Sequence, residues 1–219
     1  CAIKECKSAM VSPVGQRRTY HLSEVLNHAI HNFCTENRVA PFAAFYMALA
    51  IYLRRITGIS RLGIGVPIFN RANYKEKQMT GMFVSTLPFV NELDENWSLE
   101  EFNRHLSEEW FDLLRYQKFP FSEIMALARQ QHPDTDHLFH VALSYQNSRF
   151  FESRDASVLF TGRWNYSGYQ SEHLIIHLSS LESDHRYSVD YDYLTQIFSA
   201  AEIDCFHYYL TKILKEALD

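Results

Sequence analysis

Apolar residues recur every three or four positions in four stretches of the chain, which predicts four main helices. The first begins after Ser23, the second at Pro41, the third after Ser98 and the last after Ser199. Ser98 and Ser199 are each followed three positions later by glutamate, which predicts capping boxes that satisfy backbone N–H groups of the first turn. A shorter fifth helix is expected to end before Pro133, because proline cannot continue a helix.

Short apolar runs between these helices predict β-strands. The predicted strands cover residues 62–67, 82–90, 138–145, 157–161, 174–181 and 187–193. The last two are expected to form a hairpin joined through residues 182–185. Helices and strands are mixed without strict alternation, so the sequence predicts an α/β fold with a mixed β-sheet covered by helices. Residues 1–20 are interpreted as an irregular lead-in or linker, followed by one domain over residues 21–219.

The stretch from residue 62 to residue 88 stands out because it holds three of the seven glycines in the chain. Gly63 and Gly65 lie in the first predicted strand, and Gly81 precedes the second. Glycines at such places mark backbone that turns sharply or is approached closely by another group. Asn70 and Arg71 lie in the polar loop between the two strands.

Composition and charge exclude several classes of protein. The chain is 47% hydrophobic with a formal net charge of −5 at pH 7, which indicates a globular protein and gives no reason to expect nucleic acid as a partner. No apolar run approaches the roughly 20 residues that span a bilayer, so no membrane partner is expected. The cysteines match no zinc-binding pattern and are typical of a reducing cytoplasm. They are Cys1, Cys6, Cys34 and Cys205.

Three further sets of residues are of types found in functional sites. Residues 132–140 contain five histidines or aspartates suited to metal binding. A strand starting at Leu138 would place His137 and His140 on opposite sides, so no metal site is predicted. Acidic residues between positions 182 and 192 are interpreted as solvated turn residues. No G-x-S-x-G elbow and no phosphate-binding loop occurs, which argues against a nucleophilic hydrolase and against a P-loop enzyme.

Four segments in register resemble motifs of the condensation domains of nonribosomal peptide synthetases, specifically of their C-terminal half. The segments are IGVPIFNR at 64–71, GMFVSTLP at 81–88, YQKFPFS at 116–122 and LFHVALSYQN at 138–147. They are similar to the family's G-x-P-x-x-x-R, G-x-F-V-N-T-L-P, H-Q-D-Y-P-F-E and N-P-L-F…Q-N runs. The resemblance extends from about Leu22 to Leu218.

Several polar positions depart from these motifs. Ser85 stands where the family usually has Asn, Tyr116 replaces His, Lys118 replaces Asp and Ser122 replaces Glu. The residues that shape the backbone, including Gly81, are kept. The resemblance therefore supports the fold, while it leaves substrate preference and subtype open.

The resemblance implies one lobe with a chloramphenicol-acetyltransferase-like fold. In the family, two such lobes join an acyl or peptidyl thioester on one carrier protein to an amine on another, and both substrates arrive on phosphopantetheine arms. The family's H-H-x-x-x-D-G motif lies in the N-terminal lobe, and the string is absent here. We therefore expect no catalytic residue in this chain, no directly bound cofactor, and partners that are the N-terminal lobe and carrier proteins.

The same resemblance implies substrate-binding positions along the wall of the tunnel between the lobes. Ser85 and Thr86 are expected to offer hydroxyl groups to the amide-rich pantetheine arm, with Gly81 shaping the backbone and Gln117 beside them. Arg71 is expected to fix the loop by pairing with a carboxylate such as that of Glu76. An ordinary structural ion pair of Arg71 is the alternative.

Two other functions remain open from the sequence. One is a condensation-like module without catalytic activity that only recruits carrier proteins or partner enzymes. The other is a free-standing acyltransferase of the same fold, which would need a histidine that the motifs of this chain do not supply. A peptide-forming assay with the missing lobe separates the condensation lobe from the recruiting module, whereas a carrier-binding assay does not, because both should bind carrier proteins.

Overall fold

The structure of the protein is a computed structural model that describes residues 11–94, 96–146, 164–180 and 186–218. Within these ranges, helices and strands alternate irregularly along the chain. They are β1 (Gly15–His21), α1 (Glu24–Asn37), α2 (Pro41–Thr57), β2 (Arg61–Ile68), α3 (Tyr74–Gln78), β3 (Ser85–Glu92), α4 (Leu99–Arg115), α5 (Phe121–Gln131), β4 (Val141–Gln146), β5 (Leu174–Ser179), β6 (Ser188–Leu194) and α6 (Ala200–Leu218).

The strands form one sheet in the order β1-β6-β5-β4-β2-β3. Strand β4 is parallel to β2 and to β5, and the other neighbours are antiparallel. The mixed sheet confirms the predicted α/β class. Strands β1 and β3 are the two edges of the sheet. Strand β2 pairs with β4 on one side and with β3 on the other, and a loop joins β2 to β3.

One face of the sheet is covered by helices. Helix α2 is apolar on most sides, and its central residues 44–50 are all buried, so it forms the middle of the helical layer. Helices α1, α4 and α6 add narrower apolar stripes to the same core. The predicted helix signals are confirmed: Ser98 forms a complete capping box with Glu101, and Gly58 ends α2 in the left-handed conformation at φ 71°.

The opposite face of the sheet is polar, because successive side chains of a strand point to opposite sides. We call it the polar face. Its members on the four strands β1, β4, β5 and β6 are Arg17, Thr19, Ser144, Gln146, His177, Ser179, Ser188, Asp190 and Asp192.

The irregular structure predicted for residues 1–20 is wrong from Gly15 onward. Strand β1 pairs with β6 over its whole length, from Gly15 opposite Leu194 to His21 opposite Ser188. The strand was missed because its sequence, GQRRTYH, is polar, and it is stabilised by ladder hydrogen bonds and charge pairs rather than by apolar side chains. Residues 1–10 lie outside the described ranges.

Other boundaries also differ from the prediction. Strand β3 begins at Ser85 rather than at Met82, and β4 begins at Val141 rather than at Leu138. The short helix α3 between β2 and β3 was not predicted, and it is started by Asn73, whose side chain accepts a hydrogen bond from the Glu76 N–H. The strand predicted at 157–161 and the turn at 182–185 lie outside the described residues.

Within the described ranges, no single helix is both long and apolar enough to cross a bilayer. Helices α1 and α2 reach that length and apolarity only when counted together, and they bend by 109° where they meet.

Candidate functional site

The loop between β2 and β3, residues 69–84, is held in shape by the guanidinium group of Arg71. This group donates hydrogen bonds to three backbone carbonyls, those of Glu76, of Met79 at 2.6 Å and of Gly81 at 2.8 Å. It also lies over the Phe83 ring, 4.2 Å from the ring centroid. We call residues 69–84 the crossover loop. A planar donor group of this kind can serve several acceptors at once, which explains an arginine at its centre.

The predicted pairing of Arg71 with the Glu76 carboxylate is wrong. That carboxylate instead accepts hydrogen bonds from the Ala72 N–H at 2.7 Å and from the Lys118 ammonium at 2.9 Å. Lys118 also donates to the carbonyl of Asn70 at 2.7 Å. The hydrogen bond from Lys118 is the main reason why the pKa of Glu76 lies below its usual value. Lys118 thus joins the turn after α4 to the crossover loop.

Two residues of the crossover loop have a backbone conformation with positive φ. Asn70 lies in the left-handed region at φ 53°, where asparagine is one of the few tolerated side chains. Gly81 has φ 141°, which L-residues rarely adopt. A Cβ atom at Gly81 would meet only the Phe83 ring at 3.6 Å. The backbone angle, rather than crowding, therefore requires glycine at this position.

Gly65 in strand β2 is the glycine that another group approaches closely. A Cβ atom there would lie 2.4 Å from the ring of Phe139, well inside contact distance. Phe139 in turn packs edge-on against Phe121 of α5, with ring centroids 6.1 Å apart. The absence of a side chain at Gly65 lets these two aromatic rings seat α5 near the strands that carry the crossover loop.

We expect Gly65→Val to destabilise the fold by about 1–3 kcal/mol, because overpacking forces the Phe139 ring out of its position. Urea unfolding measures this loss. The double variant Gly65→Val with Phe139→Ala should recover part of it, since the clash is then removed. A single variant as stable as the parent would contradict this account of the glycine.

The remaining predicted site residues do not form one cluster. Ser85 and Thr86 are successive residues of β3, so their side chains point to opposite faces of the sheet, and Ser85 shares the face of the buried Leu87. The side-chain amide of Gln117 donates to the Leu114 carbonyl at 2.8 Å, at the end of α4. The structure thus brings together Arg71, Gly81 and the turn next to Gln117, and it separates Ser85 from Thr86.

Apolar side chains project into solvent from the crossover loop and from the turn that Lys118 attaches to it. Met82 is 94% exposed and Tyr116 is 68% exposed. Together the exposed apolar residues of these two segments are Phe69, Tyr74, Met79, Met82, Val84, Tyr116 and Phe119. We call this set the apolar rim. Exposed apolar groups in such number near one loop are typical of an interaction surface.

A second group of polar side chains, on the polar face, was not identified as a site from the sequence. The interpretation of Asp190 and Asp192 as solvated turn residues is wrong, because both lie in β6 and Asp192 is buried. The Asp192 carboxylate accepts two hydrogen bonds from Arg17, at 2.6 and 2.7 Å, and lies 3.1 Å from His177 Nε2. Burial opposes the ionisation of Asp192, but the hydrogen bonds from Arg17 and His177 outweigh it, so the pKa of Asp192 is lowered. The alternation of aspartate with apolar residues in β6 was the available signal.

Three histidines meet at one end of the sheet. The rings of His140 and His173 stack with centroids 4.3 Å apart, and His137 lies 5.3 Å from His140. The prediction that His137 and His140 face opposite sides is wrong, because β4 starts only at Val141 and both residues belong to the preceding loop. In the described ranges, no group of three or more histidine, cysteine or acidic side chains has a geometry that suits a metal ion.

Two histidines with lowered pKa values predict a loss of stability in acid. Burial, reinforced by the neighbouring His140 and His137, lowers the pKa of His173 to about 4. Burial also lowers the pKa of His207 to about 4. Between this value and about 6.5, the unfolded chain binds protons that the folded chain does not, so stability is fully present above about pH 6.5 and falls as the pH drops toward 4.

Each of these two histidines should contribute a slope of up to about 1.4 kcal/mol per pH unit. Urea unfolding at several pH values between about 7 and 4.5 measures this slope. The variant His173→Gln should show a shallower dependence than the parent. An equal slope in both proteins would show that His173 is not the responsible group.

The three hydrogen bonds of Arg71 to loop carbonyls predict that Arg71→Lys loosens the crossover loop. Lysine lacks the planar donor group and cannot bond three carbonyls together, so the crossover loop should open more often. Amide hydrogens of residues 72–81 are expected to exchange at least about tenfold faster, since hydrogen bonds to a charged group are lost. Arg115→Lys, on an exposed part of α4, is the matched control. Unchanged exchange in the loop would mean that Arg71 does not hold it.

Comparison with known proteins gives the family. The Condensation domain family matches residues 4–219. The chain belongs to the condensation domain family. Condensation domains of nonribosomal peptide synthetases are acyltransferases that form amide bonds, and the structure has the expected α/β fold with a mixed sheet.

The similar proteins include a synthetase and two solved condensation domains. The condensation domain sequence is 31% identical to the surfactin synthase subunit 1 of Bacillus subtilis (strain 168) over 99% of its own length and 6% of that protein. The first condensation domain of the CDA synthetase has a TM-score of 0.76 at 13% identity, with 99% of this chain covering 47% of that chain. The condensation domain from the Monacolin K polyketide synthase MokA has a TM-score of 0.76 at 13% identity, with coverages of 97% and 50%.

The chain therefore spans about half the length of these two solved condensation domains and a small part of the curated synthetase. At these identities, the two structures establish the fold, and they establish no individual site residue.

Proposed function

We propose that the chain is the C-terminal lobe of a peptide-bond-forming condensation domain. The coverage carries this proposal: almost all of the chain aligns with two solved condensation domains, yet it fills only 47% and 50% of them. The absence of an H-H-x-x-x-D-G string in the sequence supports the same conclusion. The catalytic histidine would then belong to the N-terminal lobe, and this chain would supply the opposite wall of the tunnel.

In this role, the crossover loop is the floor of the tunnel. Amide formation from a thioester and an amine needs the two reactants held near attack distance with water excluded, and such positioning alone can reach effective molarities of about 10⁵ M or more. A floor must therefore keep its shape while substrates pass. The hydrogen bonds of Arg71 and of Lys118 serve that purpose.

The partners follow from this assignment. The apolar rim is the surface on which the N-terminal lobe would pack, because its exposed side chains lie on the loop that faces the tunnel in the proposed arrangement. Carrier proteins of a cytoplasmic synthetase would bring the donor and the acceptor on phosphopantetheine arms. We propose that Thr86 lines the path of the arm and that Gln117 lies near it, with no cofactor bound by the chain itself. Ser85 points to the opposite face of the sheet, so its side chain lies away from that path.

A second candidate function is recruitment of carrier proteins without catalysis. Lys118 favours it, because it replaces the family's usual aspartate and its ammonium group is already bonded to Asn70 and Glu76. Carrier binding does not separate the two candidates, since both require it.

Amide formation from two carrier-bound substrates tests the proposal. The chain alone should form no product above the uncatalysed background. The same chain extended by its natural upstream residues should form product, and replacing the first two histidines of an H-H-x-x-x-D-G motif in that extension should stop the reaction. Product from the isolated chain that is lost on mutating one of its own residues would overturn the proposal, and an inactive but carrier-binding extended protein would support recruitment.

A further inference from the structure

A cavity of about 310 Å³ opens on the polar face, beside strands β1, β5 and β6. Its floor is formed by Arg17, His177, Asp190 and Asp192, and its wall by residues 164–170. We call it the sheet cavity. It lies on β1, β5 and β6, whereas the crossover loop joins β2 and β3 at the other side of the sheet. The cavity is large enough for a molecule about the size of an amino acid side chain with its charged group.

The positive charge in the sheet cavity, that of Arg17, is already paired with a carboxylate of the protein. Two nitrogens of Arg17 bond the Asp192 carboxylate, and the third, Nη1, donates to the Trp164 carbonyl at 2.9 Å. Three of the five N–H groups of Arg17 are therefore engaged, and the Asp192 carboxylate already neutralises its charge. An acidic ligand would have to displace the buried carboxylate of Asp192, whose side chain is only 4% exposed.

The negative charge in the sheet cavity exceeds the positive charge. Asp190 and Asp192 bring two formal negative charges against the single positive charge of Arg17, with histidine counted as neutral. In the described part of the chain, Asp190 Oδ1 accepts a hydrogen bond from the Thr19 hydroxyl at 2.5 Å. The other oxygen, Oδ2, has only the Arg17 Nη1 atom at 3.6 Å, which is too far for a hydrogen bond.

Three aromatic residues line the sheet cavity together with Asp190 and Asp192. Tyr166 lies with its ring 5.4 Å from the Arg17 guanidinium carbon, and its hydroxyl donates to Gln170 at 3.0 Å. A Cβ atom at Gly15 would collide with that hydroxyl, so glycine leaves the room in which Tyr166 packs. Trp164 and Tyr169 line the cavity as well, and both remain about half or more exposed, at 47% and 64%.

We propose that the sheet cavity is a binding site for a small organic cation, an ammonium group carried on an alkyl or aryl chain. The ammonium group would bond the Oδ2 atom of Asp190, whose nearest cationic partner among the described residues is Arg17 Nη1 at 3.6 Å. The apolar part of the ligand would lie against the Trp164 and Tyr169 rings, which attract cations through their π faces. Carboxylates combined with aromatic rings favour this class over anions and over neutral molecules. The inference goes beyond the proposed function and does not depend on it.

Calorimetric titration of the chain with phenethylammonium chloride tests this proposal, with 2-phenylethanol and 3-phenylpropionate as the neutral and anionic counterparts. We expect saturable binding of the cation in the millimolar range, as is usual for a fragment of this size, and a shift of the Trp164 indole resonance in the ¹H–¹⁵N spectrum. Asp190→Asn keeps the shape and the bond from Thr19, and should weaken binding of the cation by about tenfold or more. Trp164→Ala should weaken it by about fivefold.

Asp112→Asn is the matched control, because this carboxylate is exposed on α4, in the layer of helices on the other face of the sheet. It should bind the cation as the parent does. The thermal unfolding transition of each variant checks that it is folded. Three results would each overturn the proposal: 2-phenylethanol binds as tightly as phenethylammonium, 3-phenylpropionate binds more tightly than phenethylammonium, or the folded Asp190→Asn variant binds the cation with unchanged affinity.

Discussion

Replacing Asp192 by alanine is expected to destabilise the protein by about 3 kcal/mol, because the variant leaves the Arg17 guanidinium, whose side chain is only 17% exposed, without its main partner. The carboxylate holds Arg17 by two hydrogen bonds and His177 by a third contact. It ties β1 to β6 and β5 through side chains on one face of the sheet. Strand β1 contributes few apolar side chains, so we expect its attachment to be lost first.

Replacing both partners at once separates the net value of the ion pair from the cost of an orphaned charge. The variant Arg17→Met with Asp192→Leu replaces both charges by apolar groups of similar volume, and it should be clearly more stable than Asp192→Ala alone. Urea unfolding measures all variants, and hydrogen exchange of the amides of β1 locates the loss. An Asp192→Ala protein within about 1 kcal/mol of the parent would show that the ion pair is not structural.

Replacing Gly81 by valine is expected to abolish amide formation by the full domain. A β-branched residue cannot adopt φ 141° without severe strain, so the chain must turn differently between the crossover loop and β3. The Gly81 carbonyl would then leave the Arg71 guanidinium, to which it is bonded at 2.8 Å. The floor proposed for the tunnel would lose its shape at the point where positioning matters most.

Thr80→Val is the matched control for Gly81→Val, because it places the same side chain one position earlier, at a residue without positive φ. Its amide-forming rate should remain near that of the parent. Thermal unfolding distinguishes a local change from global unfolding, and the Gly81→Val protein should keep a cooperative transition. Near-normal activity of Gly81→Val would show that the backbone turn at this glycine is not required.

The sequence predicted those parts of the fold that are encoded by local chemistry. Capping residues such as Ser98 and the stop at Gly58 act within one helical turn, and apolar periodicity identifies the buried face of a helix. Strand β1 was missed because a polar edge strand is stabilised by its neighbour β6, more than 160 residues away in the chain. A pattern confined to residues 15–21 carries no sign of that pairing.

The candidate site also contains features that the sequence predicted and contacts that it did not. The importance of Gly81 and Arg71 was predicted from motif and composition, but the partner of Arg71 was not, since an arginine beside a glutamate suggests an ion pair and the folded loop offers carbonyls instead. The link from Lys118 to Asn70 spans 48 positions. Contacts of that kind depend on the fold and cannot be inferred from spacing.

We propose above that this chain is one lobe of a two-lobed condensation domain. The most direct test is to determine the sequence that its parent gene encodes over the roughly 200 residues upstream of Cys1, a span set by typical domain size. We expect a second lobe there with an intact H-H-x-x-x-D-G motif. An upstream sequence without such a lobe would contradict it.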